Sequence, residues 1–354
     1  MKRILIIRSS AIGDIVMASP LIKGLRKKYP DAHIGWLVDP AVQDLLHCHP
    51  DLDQVICWSK SLWKKYLQQG SLISLVKSMQ GVASYLRSQE FDGVVDAQGL
   101  FRSRLFALLS GAEQRIGFHS AEPGKMFMTR IISKGPDDTA MSSEYYHLLE
   151  SLGIETHDCH PELILNPVDM ENARKKLRQQ GITGAYAVIC PFTTRPQKHW
   201  FARRWVALAK EIETRLALPV VLLGGFADQE ASRAICLGGK GHPLNFTGVT
   251  TLGESAAIIQ GTRLLIGVDT GLTHMGTAFH RPTVALFGAT RPYLYTRSPL
   301  TKVVYHSMAC SPCRRSPTCD GAFHCMESIH VHGVWKIIDE LISVKEDPHA
   351  CSAH

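Results

Sequence analysis

Four short polar segments bring complementary chemical groups together, and each follows an apolar run. The first is Ser9-Ser10-Ala11-Ile12-Gly13-Asp14. Gly13 lets the backbone turn tightly, and Asp14 puts a carboxylate near a helix start, where it can cap the helix or take a proton. The second, Asp96-Ala97-Gln98-Gly99-Leu100-Phe101-Arg102-Ser103, offers a carboxylate, an amide and a cation that can hold sugar hydroxyls or acidic groups. In the third, residues 191–200, two hydroxyls (Thr193, Thr194) and two cations (Arg195, Lys198) can bind phosphate and neutralise a negative leaving group. The fourth is Gly267-Val268-Asp269-Thr270-Gly271-Leu272-Thr273-His274. Backbone N–H groups from Thr270 to Thr273 can cradle a diphosphate there, and His274 lies one turn inward, facing the same space, so that Asp, Thr, Gly and His converge on one turn. The alternative readings are a helix cap, polar surface loops, and a histidine packed against a sheet.

The elements that must position these groups follow from periodicity. Residues 4–7, 34–38, 54–58 and 91–96 are short apolar runs bounded by turn residues and read as buried parallel strands. Residues 15–29, 73–89 and 100–109 carry apolar side chains at helical spacing. The second half repeats the style, with strands expected at 185–190, 218–223, 263–268 and 283–287 and helices at 203–215, 252–260 and 271–279. Between the halves, residues 161–184 read as a linker plus a helix, from Asn166-Pro167 to Gly181. Strands alternating with helices predict an α/β chain of two Rossmann-like domains, whose ligands sit at the carboxyl ends of strands. A last helix at 334–344 carries Val334, Ile337, Ile338, Leu341 and Ile342 on one face, which must pack somewhere. The residues after 345 are expected to be mobile.

Composition bounds the function. Of 354 residues 45% are hydrophobic and 20% charged, an ordinary globular balance that excludes disordered and fibrous classes. The longest apolar candidate, residues 256–268, is broken by Gln260, Thr262 and Arg263, so no membrane-spanning helix is expected. The N-terminus lacks a signal-peptide core and reads as cytoplasmic. The formal charge of +7 suits nucleic acid, an anionic membrane or a phosphorylated substrate. No zinc-finger, RNP or helix-turn-helix signature supports nucleic acid. The absence of G-x-G-x-x-G and of a P-loop argues against dinucleotide redox chemistry and nucleotide hydrolysis. Of ten cysteines, Cys48, Cys57, Cys159, Cys190 and Cys236 are scattered singly. Cys310-x2-Cys313-x5-Cys319-x5-Cys325, with His306 and His324 beside it, fits structural zinc, reduced thiols or an oxidised pair.

In order and spacing, the four segments resemble the lipopolysaccharide heptosyltransferases, a family of ADP-heptose-using glycosyltransferases. The resemblance runs over nearly the whole chain. The Asp-Ala-Gln-Gly-Leu form at 96–100 is most like heptosyltransferase I, the branch that adds the first heptose to Kdo on lipid A. The cysteine segment departs from that branch and keeps heptosyltransferase II, or another nucleotide-sugar transferase of the same fold, as the alternative. The resemblance implies a GT-B fold with an acceptor domain at 1–165 and a donor domain at 166–327, including the cysteine segment 306–326. Residues 328–354 would form a helix returning to the first domain and a mobile tail.

The resemblance further implies inverting transfer with no cofactor and no catalytic metal, Asp14 acting as base and Lys198 beside the leaving group. Thr193, Thr194, Asp269, Thr270, Gly271, Leu272 and His274 would hold the donor with Lys198. For the adenosine ribose, Asp228 and Glu230 in segment 224–230 both remain candidates. The acceptor carries Kdo carboxylates and lipid A phosphates, so its expected contacts are Ser9, Ser10, Gly13, Lys60, Lys64, Asp96, Gln98, Arg102, Arg115 and Lys125. Lys60, Lys64 and Lys65, clustered with Trp58, Trp63 and Tyr66, suit an anionic inner-membrane surface. A peripheral, cytoplasmic monomer that binds no nucleic acid is the expectation.

Overall fold

The first six strands are β1 (Arg3–Ile7), β2 (His33–Val38), β3 (Gln54–Cys57), β4 (Gly93–Asp96), β5 (Gln114–Phe118) and β6 (Arg130–Ile132). They form one parallel sheet in the order β3-β2-β1-β4-β5-β6. The next six are β7 (Ala187–Cys190), β8 (Val220–Leu222), β9 (Leu244–Asn245), β10 (Leu264–Val268), β11 (Thr283–Phe287) and β12 (Thr301–Tyr305). They form a second parallel sheet in the order β12-β11-β10-β7-β8-β9. The computed structural model describes residues 1–135, 139–236, 242–313 and 316–343. Its contacts divide the chain into two units, Met1–Asp138 with Ser142–Ile164 and Thr139–Met141 with Leu165–His354.

Counted from its own first strand, each sheet has the order 3-2-1-4-5-6, the doubly wound arrangement. The chain reverses direction across the sheet between β1 and β4 in one unit and between β7 and β10 in the other. Loops that leave two such neighbours diverge to opposite faces and open a crevice at the carboxyl ends of the strands. All four polar segments follow these four strands.

Central position explains the apolar runs. Ile4 to Ile7 lie between β2 and β4 and are fully buried, as are Leu264, Leu265, Ile266 and Val268 of β10. Shorter or half-polar elements escaped the sequence reading. These are β5, which opens on Gln114-Arg115, and the edge strands β6, β9 and β12, whose Lys302 is exposed. The helices Lys60–Gln68 and Ser143–Ser151 escaped as well. The single helix expected at 15–29 is two, Ile12–Ala18 and Pro20–Lys28, because Pro20 has no N–H to continue the first.

The last helix, Val331–Ser343, corrects an expectation. Val334, Trp335, Ile338 and Leu341 enter the second unit's own core with Trp205, Leu208, Val284 and Leu286. The apolar face predicted to return to the first domain is thus used where it stands. The chain just before this helix also holds the loop after β7: Trp200 Nε1 donates to the Ile329 carbonyl at 2.9 Å, and the Arg204 guanidinium to the carbonyls of Met326, Glu327 and Ile329. The tail after 345, expected to be mobile, lies outside the described residues. Among the described residues no helix is long and apolar enough to cross a membrane.

Candidate active site

In the second unit, β10 delivers Asp269 directly to the turn that starts the helix Gly271–Ala278. Gly267 makes this close passage possible. A Cβ there would fall 2.1 Å from the Thr273 hydroxyl, which donates to the Val268 carbonyl at 2.7 Å. Asp269 is the hub of the site. Its Oδ2 accepts from Lys198 Nζ at 2.5 Å and from the Thr290 hydroxyl at 2.5 Å, and its Oδ1 lies 3.3 Å from His274 Nε2. Burial pushes this carboxyl up, but the hydrogen bond and charge of His274, joined by Lys198, hold it well below the usual carboxylate range.

His274 is only 3% exposed, and its Nδ1 meets the Tyr293 hydroxyl at 2.6 Å. Burial, reinforced by the Asp269 charge, raises the Tyr293 phenol well above its usual range. Because an ionised carboxylate only accepts, the ring presents its Nε2–H to Asp269, while the Tyr293 hydroxyl engages the other nitrogen.

Above this hub the helix presents its amino end. Thr270 makes no side-chain cap, while the N–H groups of Thr273 and His274 are already bonded to the Thr270 carbonyl. The expected cradle of four N–H groups therefore narrows to those of Thr270, Gly271 and Leu272. Lys198 reaches Asp269 from a 3-10 turn, Pro196–Lys198, set by Pro196. Thr193 is half-buried, its carbonyl meeting His199 Nε2 at 2.7 Å, and Thr194 is exposed.

After β8, Asp228 accepts from the Gly225 N–H at 2.9 Å, whereas Glu230 is exposed at the start of a helix. Both carboxylates retain accepting capacity, so both stay candidates. Beside them stands Phe226, 79% exposed. A cavity of about 430 Å³ lined by Arg174, Arg178, Tyr186 and Arg281 lies by the amino ends of β7 and β11 and contains none of these groups.

In the first unit, Asp14 is both a cap and an ion-pair partner. Its Oδ2 accepts from the Ala11 N–H at 3.0 Å and lies 2.6 Å from the Arg8 guanidinium. No bond among the described residues engages Oδ1, and the side chain is 37% exposed. Arg8 also donates to the Ala97 carbonyl. Burial opposes its charge, but Tyr145, Asp14 and Glu144 together raise its pKa, so it stays cationic.

The loops after β1 and β4 are stitched together. The Ser9 N–H and hydroxyl both donate to Gln98 Oε1, at 3.0 and 2.9 Å. Ser10 and Gly13 lie on the same turn, each partly exposed.

Several acceptor expectations are corrected. Asp96 is fully buried. Its carboxylate accepts from the Gln98 and Gly99 N–H groups and the Ser103 hydroxyl, so it holds the β4 turn rather than meeting a substrate. Burial pushes this carboxyl up, against the pull of those N–H groups. Arg115 lies at the amino end of β5 with its guanidinium on the Phe127 and Ala112 carbonyls, away from the strand's carboxyl end. Lys125, by contrast, follows β5 and meets His119 Nε2 at 3.1 Å. Arg102 stacks over Trp58 at 5.1 Å. Lys60 and Lys64 are exposed, but Trp58 and Trp63 pack edge-on at 4.8 Å in the core and give no interfacial belt.

All nine described cysteines are free, and among the described residues no group of three His, Cys, Asp or Glu is placed to hold a metal. Sequence reasoning missed Thr290, Tyr293 and Phe226. The first two follow β11, and a strand-end rule applied there as well would have found them.

Residues 79–323 match the family model described as glycosyltransferase family 9 (heptosyltransferase). Lipopolysaccharide heptosyltransferase 1 of Salmonella typhimurium is 25% identical over 300 residues, covering 82% of this chain and 90% of the relative. Lipopolysaccharide heptosyltransferase 2 of Escherichia coli K12 is 26% identical over 302 residues, covering 82% and 84%. Among solved structures, a family 9 glycosyl transferase from Veillonella parvula matches with a TM-score of 0.80 at 22% identity over 96% of this chain and 97% of that one. The E. coli heptosyltransferase WaaC with ADP-2-deoxy-2-fluoro heptose matches at 0.72 and 21% identity, covering 96% and 99%. The expected two-Rossmann GT-B fold is shared with these structures.

Proposed function

Because the chain belongs to glycosyltransferase family 9, the heptosyltransferases of lipopolysaccharide core synthesis, we propose that it transfers heptose from ADP-L-glycero-D-manno-heptose to Kdo-lipid A, with inversion and without a catalytic metal. The observation that carries this reading is the Lys198–Asp269–His274 hub beneath an open helix amino end at the second sheet's reversal point.

A diphosphate arriving at the Thr270, Gly271 and Leu272 N–H groups brings its charge beside Lys198, which Asp269 holds in place. As the anomeric C–O bond breaks, its electron pair passes to a phosphate oxygen, and this fixed positive potential stabilises the developing charge. Thr193, Thr194 and Thr270 add hydroxyl donors. His274, with both ring nitrogens engaged, positions Asp269. Asp228 or Glu230 takes the ribose hydroxyls, and Phe226 offers a face to the adenine.

The acceptor hydroxyl forms the new bond to the anomeric carbon, and its proton goes to Asp14, whose Oδ1 is uncommitted while Arg8 and the Ala11 N–H hold Oδ2. Lys60, Lys64, Arg102 and Lys125 supply cations for an acidic glycolipid, and the protein works as a monomer on the anionic inner face of the inner membrane.

The test is calorimetric titration with ADP-heptose beside UDP- and GDP-sugars, then transfer assays on Kdo-lipid A with and without EDTA. Selective ADP-heptose binding and EDTA-insensitive transfer are expected. Absence of ADP-heptose binding would overturn the donor assignment. Near-equal similarity to heptosyltransferases 1 and 2 favours one second reading, a core acceptor that already bears a heptose. Transfer to that acceptor and not to Kdo-lipid A would select it.

A further inference from the structure

Between Asp53 and Glu90 the sequence contains no acidic residue and five cations, Lys60, Lys64, Lys65, Lys77 and Arg87. This stretch forms two helices, Lys60–Gln68 and Leu72–Ser88, that reverse at Gly70, whose φ of +65° suits glycine. The inward faces are fully used. Trp63 is buried in the first unit's core with its Nε1 on the Ser78 hydroxyl, and Leu75, Met79, Val82 and Leu86 pack beside it at helical spacing.

The tip of the hairpin carries a second apolar set with nothing over it. Leu67 is 60%, Leu72 64%, Ile73 74% and Val76 50% exposed. Among the described residues none of the four lysines takes part in an ion pair. Exposed aliphatic side chains are ordinary when scattered, but four gathered at one reversal in a stretch whose only charged residues are cations are not.

We propose that this hairpin tip is the membrane-docking element. Leu67, Leu72, Ile73 and Val76 insert among the acyl chains of an anionic bilayer, while Lys64, Lys65 and Lys77 meet its phosphate headgroups. The pattern is that of an interfacial helix pair, with apolar area for the acyl boundary, unpaired lysines for the surface potential, and no carboxylate to be repelled. The proposal rests on the glycolipid-transfer reading and adds the surface that brings the first unit to its acceptor. It also replaces Trp58 and Trp63, which the core consumes, with the aliphatic residues that are free.

The experiment uses the full chain and two vesicle compositions, pure phosphatidylcholine and phosphatidylethanolamine with phosphatidylglycerol. Wild type should co-sediment with the phosphatidylglycerol vesicles only, and less as salt rises. The double variant Ile73→Asn/Val76→Asn should lose about tenfold or more of that partition. Its thermal midpoint and its transfer to a water-soluble, delipidated Kdo oligosaccharide should match wild type.

Vesicle binding unchanged in the double variant would overturn the proposal. So would a wild type that serves the soluble acceptor and ignores vesicles, with the transfer reading left standing. Vesicle binding that depends on Ile73 and Val76 without transfer to any acceptor would leave the docking surface and remove the transfer reading. Self-association abolished by the same substitutions, with vesicle binding intact, would assign the tip to a second copy and overturn the proposal.

Discussion

Replacing Asp269 with asparagine removes a charge while keeping the shape, and the cost can be worked from the geometry. The amide keeps one acceptor where the carboxylate had two. If its oxygen stays toward Lys198 and Thr290, its NH2 faces His274 Nε2, and if it flips, the NH2 faces the lysine ammonium. Either way a donor loses its partner and the ammonium, with its side chain 15% exposed, loses its counter-ion. Breaking a fully buried pair costs about 3 to 5 kcal/mol. The remaining amide acceptor and the partial exposure of both partners reduce this to roughly 2 to 3 kcal/mol.

At roughly 2 to 4 °C per kcal/mol for a unit of this size, the second unit's calorimetric transition should fall by about 4 to 12 °C. The cycle with Lys198→Met should show a coupling of about 1 kcal/mol or more, because a neutral chain no longer needs the carboxylate. A carboxyl whose folded pKa is depressed contributes stability that is complete above the ordinary carboxylate range, near pH 4, and lost as pH falls toward the folded value. Wild type should therefore lose stability on acidification through this range, and Asp269→Asn should lose less. A variant whose midpoint stays within about 2 °C of wild type, or a strictly additive cycle, would refute Asp269 as the hub.

Asp14→Ala should lower kcat by at least about 100-fold with ADP affinity unchanged, and turnover close to wild type would remove it as base. Lys198→Ala should raise the donor KM and cut kcat by roughly 100- to 1,000-fold, as loss of a preorganised donor does. Both are read by mass-spectrometric product formation beside ADP titration. Gly267→Ala should destabilise the second unit by about 1 to 3 kcal/mol, because its methyl collides with the Thr273 hydroxyl that anchors the helix turn. Urea unfolding measures it.

The four polar segments were legible because each pairs a buried apolar run with a small-residue turn, two strong local signals. What the sequence withheld was adjacency. Nothing local shows that β1 neighbours β4 and β7 neighbours β10, so the reversal points that unite the segments two by two appear only in the folded sheets. The same blindness explains the errors. Asp96 reads as a free carboxylate until its own loop folds around it, and Arg115 reads as a strand-end cation until the strand's start is fixed at Gln114. Trp63 looks interfacial beside lysines because one helix turn carries both core and solvent faces, and Trp58, just ahead of that helix, packs into the same core. Thr290 and Tyr293 lie about twenty residues beyond Asp269 and His274, a separation no local pattern bridges.

The bonds from Trp200 and Arg204 to residues 326–329 give the site a timetable. During synthesis the first unit's polar loops are complete once the chain up to Tyr145 has emerged, because Ser9 is tied to Gln98, Gly99 to Ser120, and the Arg8 that holds Asp14 to the charges of Glu144 and Tyr145. The loop bearing Lys198 must wait, since its anchors are among the last described residues to leave the ribosome. Domains fold in the order they emerge, so the nascent chain gains the part that carries Asp14 early and the lysine clamp only near release. A ribosome stalled before residue 326 would hold a chain whose first unit is formed while the loop bearing Lys198 is still unanchored.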